Sequence, residues 1–190
     1  MNSFIEHLNR SGIFDAAIAA AAVITVYLIV RVIFLTAKKL PRKSIPEEIF
    51  RALLAGYIAA LLVILEVPKE TWQPLLSGEM SWTELRRLGT ITHNGWIWQF
   101  VFTGRRGVLG GLLENVVLFV PYGFLLPMIW RELKWWQVWL ICLTTTCSLE
   151  RLQPLVGRTG DLDDVITNFI GGVIGCAIAK FVLKIINSRN

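Results

Sequence analysis

Two apolar segments meet in the stretch SLERLQPLVGRTGDLDDVITNFIGGVIG, which runs from Ser148 to Gly175. The polar side chains of this junction are Glu150, Arg151, Gln153, Arg158, Asp161, Asp163, Asp164 and Asn168. Carboxylates and amides are costly near lipid unless they pair with one another, face the interior of a helix bundle or line a wet cavity. The junction therefore predicts a polar site at one surface of a membrane.

The composition indicates an integral membrane protein rather than a soluble domain. Of the 190 residues, 54% are hydrophobic and 17% are charged, and several windows approach the ~20 apolar residues that cross the hydrocarbon core of a bilayer. The net charge of +5 fits the basic inner loops of a membrane protein, and no Lys/Arg tract is long enough to favour a nucleic-acid partner. We predict one all-α membrane domain over residues 1–190, a polytopic transmembrane helical bundle of about five spans.

The apolar segments also predict where the helices lie. The expected spans are Ile13–Leu35, Ile49–Val67, Leu109–Trp130, Trp135–Leu152 and Val165–Ile186. The last three form a core over residues 109–186. Residues 68–108 form an extramembrane or interfacial connector, whose tryptophans favour the membrane interface. Within it, a short surface helix is expected over Trp82–Leu88, and Gly95–Phe102 is apolar but too short to span.

The basic residues predict an orientation. The short connectors Lys38–Lys43 and Arg131–Lys134 are densely basic and would share one side of the membrane. Charges beside short loops set the orientation, and the basic side faces the cytoplasm. We therefore expect a multi-pass protein of the cell membrane, with its N-terminus outside and its C-terminus in the cytoplasm.

Five spans bring the polar residues to one face. The start of the third span carries Glu114 and Asn115, and the turn between the fourth and fifth carries the acidic junction. A fifth helix that begins near Asp161 would place Asp161, Asp164 and Asn168 on one stripe, at i, i+3 and i+7. One turn further on, Gly171 and Gly175 form a small-xxx-small pair that allows close approach to another helix.

The sequences NVVLFVPYGFLLP at Asn115–Pro127 and Ser148–Gly175 together resemble the VanZ-like membrane proteins, a family named for a glycopeptide (teicoplanin) resistance determinant. The resemblance rests on a third span that begins with asparagine, then Ser-x-Glu-x-x-Gln, an Arg- and Asp-rich turn, and Asn-x-x-Gly-Gly. The matching positions are Asn115, Phe119, Pro121, Gly123, Ser148, Glu150, Gln153, Arg158, Asp161, Asp164, Asn168, Gly171 and Gly172. The connector matches poorly. The resemblance implies a cell-envelope protein linked to glycopeptide tolerance, with no settled reaction.

Two interpretations of the polar residues stay open. In the first, they line a pocket that binds or modifies a lipid headgroup or a lipid-linked, peptidoglycan-related ligand at the outer membrane face. The candidate catalytic residues are Glu150, Asp161 and Asp164, and the candidate ligand-binding residues are Asn115, Gln153, Arg158 and Asn168. In the second, the same residues form a structural interhelical network of a non-enzymatic scaffold or binding protein. Whether the protein is an enzyme is therefore open.

Other assignments are weaker. Glu150, Asp161 and Asp164 could bind a hard divalent cation, but carboxylate spacing is a weak metal signal, so no metal ligand is assigned and any cofactor is unknown. His7 and His93 are interpreted as surface histidines. Membrane lipids are the expected partners, and the oligomeric state is open. Trp96 and Trp98 precede the third span, and we hypothesise that they cover the polar site.

Overall fold

A computed structural model describes residues 13–36, 44–66, 76–88, 90–104, 106–156 and 159–188. The chain divides into two compact units, Met1–Pro68 and Lys69–Asn190, and each is described by itself. The single domain over residues 1–190, with its core over residues 109–186, stays a prediction.

The described residues are predominantly helical, which confirms the predicted all-α class. The α-helices are α1 (Ile13–Thr36), α2 (Ile45–Glu66), α3 (Trp82–Leu88), α4 (Trp96–Thr103), α5 (Arg106–Ile129), α6 (Trp135–Leu152) and α7 (Leu162–Ser188). A 3₁₀ turn, Gln153–Val156, follows α6. Two short strands, β1 (Thr90–Thr92) and β2 (Thr159–Asp161), pair in parallel. The expected short helix over Trp82–Leu88 is present, and the apolar piece near Gly95–Phe102 forms α4.

The first unit packs α1 against α2 through an ion pair as well as apolar contacts. Arg31 Nη2 lies 2.5 Å from Glu48 Oε1, and the Tyr27 hydroxyl donates to Glu48 Oε2 at 3.0 Å. Gly56 of α2 lies against Ile24 of α1, where an added Cβ would come within 2.6 Å of the isoleucine side chain. Arg31, which the sequence places near a span end, is thus held by the neighbouring helix.

In the second unit, α7 packs against α5 and α6. Its contact with α5 is close enough to exclude side chains: a Cβ added at Gly171 would overlap the carbonyl oxygen of Val116, and one at Gly175 would overlap that of Val120. On α5, Gly123 lies equally close to the backbone of Gly172. The close approach expected at Gly171 and Gly175 is therefore confirmed.

The outer surfaces of these helices are apolar, whereas part of the interior is polar. Large side chains such as Val26, Val117 and Phe181 are exposed, and the buried set includes Thr146 and Asn168. In water such a surface would be unfavourable, because exposed apolar area costs free energy roughly in proportion to its size. The arrangement suits a lipid environment.

Within the ranges that the structure describes, three helical segments are long and apolar enough to cross a membrane. They are Ala16–Leu35, Leu109–Ile129 and Leu162–Ser188. Helix α2 carries four charged residues, and α6 has a polar run from Thr144 to Thr146 with Glu150 and Arg151 near its end, which lowers its hydropathy. The membrane assignment holds, but the number of five spans is not confirmed.

The connector contributes structure that the sequence does not predict. Strand β1 lies in the connector and pairs with β2 of the acidic turn, with Thr92 opposite Asp161. Helix α3 begins with a capping box, in which the Glu84 backbone N–H donates to the Ser81 hydroxyl oxygen at 3.3 Å. The backbone N–H and the hydroxyl of Ser81 in turn donate to the Glu84 carboxylate, both at 2.8 Å. These bonds favour the carboxylate and lower the pKa of Glu84. The connector is thus folded onto the second unit's acidic turn.

The α5–α7 contact predicts a difference between two glycines. Replacing Gly175 with alanine places a methyl group against the Val120 carbonyl, so we expect the free energy of unfolding to fall by about 1–3 kcal/mol, the usual cost of overpacking. Gly111 on α5 is the matched control, since its added Cβ would meet no atom within 4 Å. Gly111→Ala should be neutral or slightly stabilising. Thermal unfolding in detergent measures both, and equal melting temperatures would contradict the close contact.

Candidate functional site

The polar site begins where α6 ends. Glu150 is 5% exposed and accepts two hydrogen bonds: Gln153 Nε2 donates to its Oε1 at 3.3 Å, and the backbone N–H of Asp161 donates to its Oε2 at 3.0 Å. Gln153 is itself buried. The Glu150 carboxylate therefore joins the end of α6 to the strand that leads into α7.

The local sequence explains this tight turn. Helix α6 ends at Leu152, and Pro154, which has no N–H to donate, lies within the following 3₁₀ turn. Gly160 then passes close to the backbone of α6, because an added Cβ would overlap the carbonyl oxygen of Glu150. Helix α7 begins two residues later with Asp163 and Asp164 in its first turn, where the helix dipole favours negative charge.

A segment of the connector closes one side of the site. Asn94 Nδ2 donates to Asp161 Oδ2 at 2.5 Å, and the backbone N–H of Trp96, in the first turn of α4, donates to Asp163 Oδ2 at 2.6 Å. His93 Nδ1 lies 3.8 Å from Asp163 Oδ1. Asp163 is completely buried, whereas the His93 side chain is 49% exposed. The connector thus reaches the acidic turn through His93, Asn94 and the backbone of Trp96.

Two further polar pairs lie along α7 and contact different helices. Asn115 of α5 donates through Nδ2 to Asp164 Oδ1 at 2.7 Å, so this pair joins α5 to α7. Asn168, 1% exposed, donates through Nδ2 to the hydroxyl of the buried Thr146 on α6 at 3.2 Å. The predicted stripe thus divides: Asp161 lies just before α7, and Asp164 and Asn168 contact α5 and α6 respectively.

The structure places six of the seven predicted site residues at this end of the second unit, in three groups. Glu150, Gln153 and Asp161 form one hydrogen-bonded group, Asn115 and Asp164 form a second, and Asn168 binds Thr146. Arg158 lies outside the described residues. Glu114, which the sequence pairs with Asn115, is exposed. The catalytic and ligand-binding roles of these residues stay predictions.

Sequence reasoning gave no site role to Asp163 or Asn94, and it interpreted His93 as a surface histidine. The His93 side chain is half-exposed but lies beside Asp163. Asp163 stands within the quoted junction, and its i, i+4 and i+8 spacing to Thr167 and Gly171 could have indicated the buried face of α7, because both of those residues are buried. No local pattern indicates the position of His93 and Asn94, because it depends on the pairing of β1 with β2. In that pairing Thr92 lies opposite Asp161, sixty-nine residues later in the chain. The hypothesis that the indoles of Trp96 and Trp98 cover the site stays untested, and both residues are exposed.

Unpartnered polar atoms are concentrated in this region. In the described part of the chain, the buried side-chain atoms without a hydrogen-bond partner are Thr92 Oγ1, Asp163 Oδ1 and Asn168 Oδ1. A buried polar atom left unpaired costs ~1–3 kcal/mol, so natural structures retain few of them. Two of the three are oxygens that can only accept, a feature suited to a bound cation or hydrogen-bond donor.

The docking of the connector predicts the effect of removing the Asn94 amide. Asn94→Ala deletes the donor to Asp161, and the loss of a hydrogen bond to a charged group costs roughly 1.5–3 kcal/mol. Amides of Thr90–Thr92 and Thr159–Asp161 should then exchange with solvent at least about tenfold faster. Hydrogen exchange measures this in detergent, with the exposed Asn187→Ala as control. Unchanged exchange in both strands would mean that Asn94 does not hold the connector.

The sequence of this chain is similar to those of known proteins. A model of the VanZ/LLP1 family matches residues 22–184, which includes the connector and the whole polar site. Protein VanZ of Enterococcus faecium is 30% identical over 80 residues, which are 41% of this chain and 49% of that protein. The match thus spans about half the length of this relative. No solved structure matched. The extent of the family match leads to one conclusion: the chain belongs to the VanZ/LLP1 family.

Proposed function

We propose that this protein is a multi-pass membrane protein of the cell envelope that binds the polar part of a lipid-linked, peptidoglycan-related ligand at the outer membrane face. Through this binding it contributes to glycopeptide tolerance, teicoplanin in particular. Family membership and the similarity to Protein VanZ support the envelope role. The observation that carries the binding role is the pair of buried acceptor atoms, Asp163 Oδ1 and Asn168 Oδ1, that lack partners among the described residues.

The basic residues beside the short turn between α5 and α6 support the outer location, while Arg106 and Arg151 stand at the opposite end of the unit. At the end opposite the acidic turn, Lys180 Nζ donates to the Leu133 carbonyl. Arg131, Lys180 and Lys184 line a cavity of about 470 Å³ at this end. Basic residues at the ends of spans favour the cytoplasmic side. If the end with Arg131 and Lys180 is cytoplasmic, the carboxylates of the other end lie at the outer face. This corresponds to an outer N-terminus if the spans number five.

The geometry favours binding over a reaction at Glu150. Both oxygens of this carboxylate accept hydrogen bonds from the chain itself. A general base has to reach the proton that it removes, whereas Glu150 is directed to Gln153 and to the backbone of Asp161. We assign Glu150 to positioning the turn, and the ligand to Asp163 and Asn168.

The alternative is a scaffold in which the whole polar cluster is structural. One observation favours it: most described carboxylates of the site receive bonds from neighbouring elements, as Asp164 does from Asn115 and Asp161 from Asn94. Such a network stabilises a helix bundle because polar groups in an apolar interior need partners. The two functions differ in what Asp163→Asn does.

Asp163→Asn separates ligand binding from folding. Asparagine keeps an oxygen that can accept the bond from Trp96 N–H, while the negative charge is lost. We expect the melting temperature to stay within a few degrees, and the affinity for lipid-linked precursor fragments to fall at least about tenfold, which corresponds to ~1.4 kcal/mol. The assay titrates purified protein in nanodiscs with lipid II, its soluble pentapeptide fragment and phosphatidylglycerol, which separates precursor from general headgroup binding.

Glu132→Gln is the matched control for this experiment, since Glu132 is exposed in the turn between α5 and α6, at the other end of the unit. It should bind as the unchanged protein does. Equal affinity of all three proteins, or a lower melting temperature of Asp163→Asn with unchanged binding, would support the scaffold instead.

The same pair predicts a phenotype. Expressed in a teicoplanin-sensitive Gram-positive host, the unchanged chain and Glu132→Gln should raise the inhibitory concentration of teicoplanin equally, and Asp163→Asn should not, because it lacks the charge that the ligand contacts. Membrane fractions probed for the protein establish equal expression. If no variant changes susceptibility, the link to glycopeptide tolerance is wrong.

A further inference from the structure

Three side chains of the site bring metal-binding atoms together. His93 offers a ring nitrogen, and Asp161 and Asp163 each offer a carboxylate oxygen, and these atoms lie within 4.8 Å of one another. His93 Nδ1 and Asp163 Oδ1 are 3.8 Å apart, too far for a hydrogen bond. We propose that His93, Asp161 and Asp163 form a binding site for a divalent first-row transition-metal ion.

The fully buried Asp163 supplies an observation independent of this clustering. Its Oδ2 accepts the Trp96 N–H, but its Oδ1 has no hydrogen-bond partner in the described part of the chain and lies on the side of His93. Removing a charged oxygen from water without a partner is expensive. A bound cation would replace the lost solvation directly, which explains why a completely buried carboxylate keeps one oxygen open.

The surrounding bonds hold the carboxylates in fixed positions. Asp161 accepts from Asn94 Nδ2 through one oxygen and from the backbone N–H of Asp163 through the other, at 3.1 Å. Trp96 N–H fixes the second carboxylate. Metal ligands in proteins are oriented by such outer hydrogen bonds. The pairing of Thr92 with Asp161 places the next residue, His93, beside both carboxylates.

Bond lengths are compatible with these separations after a small movement. Zinc binds histidine nitrogen and carboxylate oxygen at ~2.0–2.2 Å in tetrahedral geometry, so its ligand atoms lie roughly 3.4 Å apart. The 3.8 Å from His93 Nδ1 to Asp163 Oδ1 is close to this separation, and the atoms of the group, which lie within 4.8 Å of one another, have to approach further. The His93 side chain is half-exposed, so few neighbours restrict the rotation of its imidazole toward the two buried carboxylates.

The donor set distinguishes between classes of metal. Calcium and magnesium prefer sites made wholly of oxygen, whereas a mixed set of imidazole and carboxylates suits zinc, manganese or iron. Three protein ligands leave at least one coordination position open on a zinc ion, as in sites where the metal contacts a substrate or water. The exposed face of His93 gives that position access to the outside of the unit.

The metal site shares Asp163 with the proposed envelope ligand, but it is tested separately, because metal uptake is measured with no lipid ligand present. Purified protein in detergent is stripped with chelator and then titrated with Zn²⁺ by calorimetry. After dialysis, bound zinc is counted per chain. A parallel titration with Co²⁺ reports ligand type through visible absorption, and Mg²⁺ and Ca²⁺ serve as comparison ions.

Two single-histidine variants test the assignment. The chain has two histidines, so His7→Ala is a matched control for His93→Ala. We expect one Zn²⁺ per chain, a similar affinity in His7→Ala, and a loss of affinity of at least about tenfold in His93→Ala. His93 is half-exposed, so its replacement should leave the melting temperature of the metal-free protein unchanged. Asp163→Asn should weaken Zn²⁺ binding to a similar extent.

Several results would overturn the metal site. One is the absence of zinc uptake by the unchanged protein, which would leave His93 and Asp163 as a plain ion pair. Another is Zn²⁺ binding that survives His93→Ala or that is lost in His7→Ala. A third is binding of Mg²⁺ and Ca²⁺ in preference to Zn²⁺, since the imidazole would then have no part in the site.

Discussion

The hydrogen bond from the backbone N–H of Asp161 to the Glu150 carboxylate holds the polar end of the second unit together. It joins the last turn of α6 to the strand before α7, and so fixes where the first turn of α7 begins. Asp163 and Asp164 follow directly in the first turn of that helix. A buried carboxylate that receives a backbone N–H gains a charge-assisted bond, which is stronger than a neutral one.

The connector completes the site from outside the helices. Its strand β1 pairs with β2, and its next residues approach the two buried aspartates, through Asn94 on Asp161 and through the backbone of Trp96 on Asp163. A cluster of carboxylates at the end of an apolar bundle would otherwise repel one another and lack donors. The Asn94 amide and the Trp96 backbone N–H supply donors to these carboxylates. One oxygen of Asp163 receives no hydrogen bond within the described residues.

Much of this fold follows from the chain's local patterns. The helix limits were predicted to within a few residues, because long apolar runs that end in charged or proline-containing segments leave little choice of structure in lipid. The glycines at 171 and 175 likewise predicted a close helix contact, since their spacing gives α7 a face without side chains. The number of spans does not follow from these patterns in the same way, because α2 and α6 carry charged or polar residues that lower their hydropathy.

The sequence by itself determined the all-α class, the positions of most helices and the region in which the polar residues gather. Only the tertiary structure decided which of those residues meet. Pairing of β1 with β2, far apart in the chain, brought His93 and Asn94 to the acidic turn, and no local periodicity encodes a two-stranded contact of three residues. The helix packing also separates Asp164 from Asn168, which the sequence places on one stripe of α7: Asp164 accepts from Asn115 of α5, and Asn168 donates to Thr146 of α6. The physical reason is that a buried polar group takes whichever partner the packed helices present, and that choice depends on all three helices at once.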